Sequence, residues 1–167
     1  MQITIEKTTG GYRLESMLHL ATPLPELFLF FADAGNLEEL TPPWLNFTIE
    51  TPAPIEMQAG ALIDYRLKVR GLPLRWQTEI TAWEPPYRFQ DEQKKGPYRL
   101  WRHEHLFRET AAGTMALDIV DYALPGGALA TPVHALVVGP DVRKIFEYRQ
   151  QRLLQRFGQA KLEAHVA

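Results

Sequence analysis

Two histidines, His103 and His105, stand one residue apart in a stretch that begins with a Gly-Pro turn at 96–97. We predict a β-strand after this turn. Side chains in a strand alternate between its two faces, so both imidazoles share a face with Trp101 and Phe107. Two titratable rings between two aromatic rings are typical of the wall of an amphipathic pocket.

The pair suggests two kinds of chemistry. Histidines at this spacing lie about 6.5–7 Å apart along a strand, which lets both reach one metal ion, with Asp118 or Asp91 as a third ligand. Local spacing fixes no third ligand, and we therefore predict neither a metal nor a cofactor. Histidine also titrates near neutral pH, and a nearby carboxylate tunes it for acid–base work. We predict His103, His105 and Asp118 as the candidate catalytic residues.

Composition sets the broad class. The 167 residues fit one domain, 1–167, with 46% hydrophobic and 23% charged residues. The net charge of −2 argues against a nucleic-acid partner. The chain has no cysteine, which excludes disulfides and thiolate metal sites. Met1 to Gly11 lacks a signal-peptide apolar stretch, and no apolar run is long enough to span a membrane, so we expect a cytoplasmic protein.

The order of elements predicts an α+β protein. A strand over 12–20 is followed by two short helices that must end before Pro42 and Pro43. About six antiparallel strands follow between Trp44 and Leu124, and a long amphipathic helix runs to about Phe157. A long antiparallel sheet curls, and a helix across its concave side leaves a cavity that suits an apolar ligand.

Alternation along these strands predicts which side chains face that cavity. The predicted ligand contacts are Tyr65, Trp76, Phe89, Trp101, Phe107, Val120 and Tyr122. In the last strand, Asp118 faces inward with Val120 and Tyr122. A slip of one residue would place Asp121 inside instead, with Met115, Leu117 and Ile119. The segment 129–138 either gates the cavity or leads into the long helix.

Several stretches carry a resemblance to a known superfamily. They are Ala32 to Trp44, Gly60 to Gly71, Arg88 to Phe107, Asp118 to Pro125, and Ile145 to Arg149. Together they resemble the helix-grip fold of the START-like (SRPBCC) superfamily, in its polyketide cyclase/dehydrase-like branch. The resemblance implies a curved sheet wrapped around a long C-terminal helix. It also implies a cavity whose polar groups, in the aromatic cyclases of this fold, enolise or dehydrate a bound polyketide.

Three functions remain open at this point. The first is the binding of a small hydrophobic or aromatic molecule in the cavity. The second is a cyclase, dehydrase or isomerase that uses His103, His105 and Asp118 in acid–base catalysis. The third is a protein–protein adaptor, which would expose a large apolar patch rather than hold a cavity. The sequence leaves the oligomeric state undetermined, with a homodimer as one option.

Overall fold

The computed structural model describes residues 2–160, apart from the side chain of Ala128. The strands are β1 (Gln2–Lys7), β2 (Tyr12–Leu20), β3 (Thr48–Ile49), β4 (Leu62–Val69), β5 (Leu72–Glu84), β6 (Arg88–Lys95), β7 (Leu100–Thr110) and β8 (Gly113–Ala123). The helices are α1 (Leu24–Ala32), α2 (Leu37–Leu40), α3 (Ala130–Val133) and α4 (Gly139–Phe157). A π-helical turn at His134–Val138 joins the last two, so the backbone is helical from Ala130 to Phe157.

The eight strands form one antiparallel sheet in the order β1-β2-β8-β7-β6-β5-β4-β3. This curved sheet with a long C-terminal helix confirms the predicted α+β architecture. Strands β6, β7 and β8 lie in the middle of the sheet. A side chain on the concave face of these strands is therefore surrounded by neighbours on both sides.

The start of the chain differs from the sequence-based prediction. Strand β1 was not predicted, so the strand over 12–20 is the second one and the two short helices follow it. Ile3 and Ile5 alternate as a strand requires, but the charged residues around them obscure the pattern. Strand β1 pairs with β2 alone and forms an edge of the sheet, where a mixed and partly exposed composition is usual.

Helix α4 packs one flank onto the concave face. Val142, Phe146 and Leu153 are almost fully buried along that flank, at intervals of four and seven residues that put side chains on one side of a helix. Each such burial contributes about 1.5–3 kcal/mol. Gln150 lies on the same flank and donates a hydrogen bond from Nε2 to the Ser16 hydroxyl at 2.9 Å, which ties the helix to β2.

The core divides into two main clusters. One surrounds α1 and includes Phe28, Phe31 and Phe107. The other lies under the first turns of α4 and includes Val120 and Tyr122. Within residues 2–160, no helix is both long enough and apolar enough to cross a bilayer.

Candidate functional site

A cavity of about 340 Å³ lies between the concave face of the sheet, the short helices and α4, and it is partly open to solvent. Its wall is mostly apolar. Four of the seven predicted ligand contacts line it, namely Tyr65, Trp76, Phe89 and Trp101. The volume falls within the range of small-molecule sites, toward its lower end.

The three other predicted contacts are buried but are not among the described residues that line the cavity. Phe107 is covered by α1, with its ring centroid 4.9 Å from that of Phe31. Val120 is covered by Val142 and Phe146 of α4. Alternation predicted the face of the sheet correctly for these residues, but it does not predict which parts of that face a helix covers.

Tyr122 satisfies its hydroxyl outside the cavity. The Oη atom lies 2.8 Å from Nε2 of His134, and the ring of Tyr12 stacks on that imidazole with a centroid distance of 3.3 Å.

His134 is the one buried side chain of the π-helical turn, whereas Leu136 in the same turn is exposed and Val138 lines the cavity. The segment 129–138 is thus a helical lead-in to α4, and its role as a gate stays a prediction.

The burial of His134 predicts a pH dependence of stability. Burial lowers the pKa of His134 below its ordinary value of 6.5. As the pH falls through about 6.5, His134 therefore takes up a proton in the unfolded chain but resists protonation in the folded state. Acidification in this range thus favours unfolding. A His134→Gln variant keeps an amide near the Tyr122 hydroxyl but does not titrate. We expect wild type to lose stability relative to H134Q between about pH 8 and pH 5 in urea unfolding. A constant difference between the two proteins over this range would contradict a lowered pKa.

The polar part of the cavity wall is built by the register of three strands. Asp91 of β6 pairs directly with His103 of β7, and His105 of β7 pairs directly with Asp118 of β8. Directly opposed residues and their diagonal neighbours on one face of a sheet are close enough to interact. The two imidazoles therefore lie between two carboxylates, one on each side.

Each carboxylate contacts both imidazoles. Oδ1 of Asp118 lies 3.1 Å from Nε2 of His103 and 2.7 Å from Nδ1 of His105, although the second contact lacks the alignment of a hydrogen bond. Oδ2 of Asp91 lies 3.8 Å from Nδ1 of His103 and 3.4 Å from Nε2 of His105. Asp91 and both histidines line the cavity, whereas Asp118 lies behind them, outside the described lining residues.

Arg149 of α4 completes the cluster. Its Nε lies 3.4 Å from Oδ2 of Asp118, and its guanidinium lies 5.2 Å from the ring centroid of Phe31. Both Arg149 and Asp118 are more than nine-tenths buried, so the pair is largely removed from water. Arg149 also lines the cavity and presents a buried positive charge to it.

The electrostatics of the cluster follow from these contacts. Burial raises the pKa of Asp118, but Arg149 and the two histidines outweigh it, and the pKa of Asp118 lies well below its usual value. Burial and the neighbouring His105 together lower the pKa of His103. Asp118 is therefore ionised at neutral pH, and His103 is held in its neutral form. A neutral imidazole in a cavity wall can act as a base or as a ligand.

The structure also resolves the alternative register of the last strand. Asp118 is on the inner face, whereas Asp121 is on the outer face, where Arg13 and Arg102 contact it at 2.7 and 3.2 Å.

Sequence reasoning did not assign Arg149 to the site. The available signal was an arginine at a position of α4 that otherwise carries apolar residues.

Comparisons with known proteins bear on the fold. No protein-family model and no curated protein matches the sequence. Three solved structures illustrate the likeness in shape. Protein Ms6760 of Mycobacterium smegmatis has a TM-score of 0.65 and 18% identity, over 93% of this chain and 99% of that one. An Arthrobacter aurescens protein has a TM-score of 0.67 and 15% identity, over 98% and 97%. Ara h 8.0201, a Bet v 1-like protein, has a TM-score of 0.60 and 15% identity, over 86% and 97%.

The chain has a helix-grip fold of the Bet v 1-like type. At these identities the likeness extends to the fold alone, because unrelated functions recur on one fold. The helix-grip fold accounts for where the cavity lies, between the sheet and the long helix. Function must be argued from the residues of this chain that line the cavity.

Proposed function

We propose that this protein binds a small hydrophobic or aromatic molecule in the cavity between the sheet and α4. The observation that carries the proposal is a cavity of about 340 Å³ with a mostly apolar wall and one cluster of charged groups. A wall of this kind suits a ligand with an apolar body and a polar group at one end.

The aromatic side chains of the wall support an aromatic ligand. The rings of Trp76 and Trp101 meet edge to face at a centroid distance of 5.5 Å, and the rings of Tyr65 and Trp76 are nearly parallel at 6.1 Å. Aromatic rings favour such offset and edge-to-face contacts, and a flat ligand would extend the set. The hydroxyl of Tyr65 lies 3.1 Å from that of Thr78, and burial raises the pKa of Tyr65, which keeps its phenol neutral.

Native mass spectrometry tests this proposal. The protein is purified from its own cells without denaturation and weighed intact, and it is weighed again after denaturation. We expect a mass above that of the polypeptide that disappears on denaturation, since a small molecule leaves an apolar cavity only slowly once bound tightly. The mass lost gives the ligand class. The bare polypeptide mass, together with no measurable binding of an apolar fluorescent probe, would contradict the proposal.

The charged cluster favours a second candidate function, acid–base catalysis of the cyclase, dehydrase or isomerase type. Neutral His103 faces the cavity, and the ionised Asp118 behind it would stabilise the imidazolium that forms when His103 accepts a proton. Such a base could remove a proton next to a carbonyl group of the bound molecule. In this scheme His103 is the base, and Asp118 and Arg149 position it.

Proton exchange tests this second function without knowledge of the natural substrate. The probe is 2-tetralone, a flat ketone with acidic protons beside its carbonyl, dissolved in D₂O. We expect the protein to accelerate deuterium incorporation, by about 100-fold or more over buffer, and a His103→Gln variant to lose most of this acceleration. Equal rates with wild type, H103Q and no protein would contradict catalysis and leave the binding proposal in place.

A further inference from the structure

Three atoms that carry electron pairs converge at the cavity wall. Oδ2 of Asp91 lies 3.4 Å from Nε2 of His105 and 3.8 Å from Nδ1 of His103. One ligand atom from each of the three residues lies within 4.8 Å of the other two. The longer separation is beyond hydrogen-bond range, and the shorter one is at its outer limit, so these atoms face one another without a strong direct bond.

The remaining nitrogens of both imidazoles point the other way. Nε2 of His103 and Nδ1 of His105 both face Oδ1 of Asp118, at 3.1 and 2.7 Å. Nε of Arg149 lies 3.4 Å from the second oxygen of that carboxylate, and its positive charge keeps Asp118 ionised, so Asp118 accepts hydrogen bonds and donates none. Each histidine therefore carries its N–H on the nitrogen next to Asp118, and the hydrogen bond is aligned for His103 but not for His105.

This tautomer leaves the lone pairs of His103 and His105 directed at the carboxylate of Asp91. Two lone pairs and one anionic oxygen repel one another unless a cation lies between them. In metal sites, a ligating histidine almost always donates its other N–H to a carboxylate or carbonyl group. His103 does so here, and Nδ1 of His105 lies 2.7 Å from the same carboxylate without the alignment of a hydrogen bond. The arrangement around Asp118 is therefore that of the outer sphere of a metal centre.

Two of the three separations between ligand atoms are close to those of a metal site, and the third lies within 4.8 Å. Zn²⁺ binds imidazole nitrogen and carboxylate oxygen at about 2.0–2.2 Å, so two ligand atoms of a tetrahedral site lie about 3.3–3.5 Å apart. The separation of 3.4 Å between Asp91 and His105 already matches, and the 3.8 Å separation to His103 needs a shift of a few tenths of an ångström.

We propose that Asp91, His103 and His105 bind one divalent transition-metal ion of the Zn²⁺ class, with Asp118 and Arg149 orienting the two histidines. This departs from the expectation of no metal drawn from the sequence, where no third ligand was fixed. Here the pairing of β6 with β7 supplies that ligand, because it sets Asp91 directly opposite His103.

Three protein ligands leave open coordination positions, and all three residues line the cavity. An oxygen donor on the cavity ligand, such as a carbonyl, enolate or carboxylate group, would complete the coordination sphere. This last step rests on the proposed binding of a small molecule, whereas the binding of the ion does not. An ion on His103 takes the lone pair that the base of the second candidate function would use, so the two roles of His103 exclude each other.

Metal titration tests the inference. The purified protein is stripped with chelator, then titrated with Zn²⁺ by calorimetry and with Co²⁺ by visible absorption, near pH 7.5. We expect one ion per chain and the d–d bands of Co²⁺ with nitrogen and oxygen ligands. We also expect Asp91→Asn and His105→Gln each to weaken Zn²⁺ binding by more than about 100-fold, and Asp118→Asn to weaken it by about 10- to 100-fold.

Asp121→Asn is the matched control, since Asp121 lies on the outer face of the same strand as Asp118. We expect this variant to bind Zn²⁺ as wild type does. The alternative is that a proton, rather than a metal ion, lies between Asp91 and the histidines. In that case wild type would show no saturable Zn²⁺ binding. That result would overturn the inference, as would unchanged affinity in D91N and H105Q. Probe binding measured with chelator present tests the cavity separately, so a failure of one proposal is distinguishable from a failure of the other.

Discussion

Replacing Arg149 with methionine is expected to destabilise the protein by about 3 kcal/mol. Methionine keeps much of the length of the side chain against Phe31 but removes the charge that faces Asp118 at 3.4 Å. A carboxylate that is more than nine-tenths buried would then lack its cationic partner. The free energy of unfolding, measured with urea near pH 7, is the readout. The pairing of Arg149 with Asp118 stabilises the native state at pH values above 3.8, the ordinary pKa of the carboxyl. This stabilisation is lost as the pH falls through the lowered pKa of Asp118 in the folded state.

Two further variants separate this effect from a general loss of helix packing. Arg152→Met changes an arginine one turn further along α4 that contacts Glu39 at 3.4 Å and is partly exposed, and it should cost less than about 1 kcal/mol. Asp118→Asn in the R149M background removes the unpaired charge and should recover part of the loss. Equal losses in R149M and R152M would contradict a buried ion pair as the cause. So would a double variant that is no more stable than R149M.

Replacing Trp101 with alanine is expected to weaken the binding of an apolar probe by about tenfold or more. The probe is 1-anilinonaphthalene-8-sulfonate, whose naphthalene ring is of a size to enter the cavity and whose sulfonate group can face Arg149. The Trp101 ring lines the cavity and contacts Trp76 edge to face, so its removal takes apolar contact area from a bound ring. Loss of such area costs about 1.5–3 kcal/mol, which corresponds to about 10- to 100-fold in affinity.

Trp44→Ala is the control for that substitution. The side chain of Trp44 is 57% exposed, packs on Tyr148 and is not among the described residues that line the cavity. Fluorescence titration should give W44A a dissociation constant within about twofold of wild type, since an exposed ring loses little area when it is removed. Matching affinities in W101A and wild type, or equal losses in W101A and W44A, would mean that the probe binds elsewhere.

Periodicity in the sequence predicted most of what positions the site. Alternation along β7 correctly placed Trp101, His103 and His105 on one face, whereas the pattern of β8 left open whether Asp118 or Asp121 lies on the inner face. The prediction for β7 succeeds because a strand has a period of two, which local sequence records directly. The long C-terminal helix was predicted for the same reason, from its period of 3.6 residues.

Contacts between elements could not be read in this way. The meeting of Asp91 with His103 depends on the register between β6 and β7, and no local pattern specifies that register. The approach of Arg149 to Asp118 depends on how α4 docks across the sheet, over a separation of many residues. Phe107 and Tyr122 face the expected side but are covered, by α1 and by the Tyr12–His134 pair, because alternation says nothing about what packs above a strand.

The proposed function requires an open cavity between the sheet and α4 that accepts a flat apolar molecule. The four tryptophans give a direct measurement, because each indole N–H gives its own signal in a ¹H–¹⁵N NMR spectrum. Trp76 and Trp101 line the cavity, whereas Trp44 lies on the surface and Trp83 packs on Phe28 outside the lining. On titration with the naphthalene probe, we expect saturable shifts of the Trp76 and Trp101 signals, with Trp44 unmoved and Trp83 little changed. A spectrum in which Trp44 alone responds, or in which no indole signal moves at saturating probe, would contradict it.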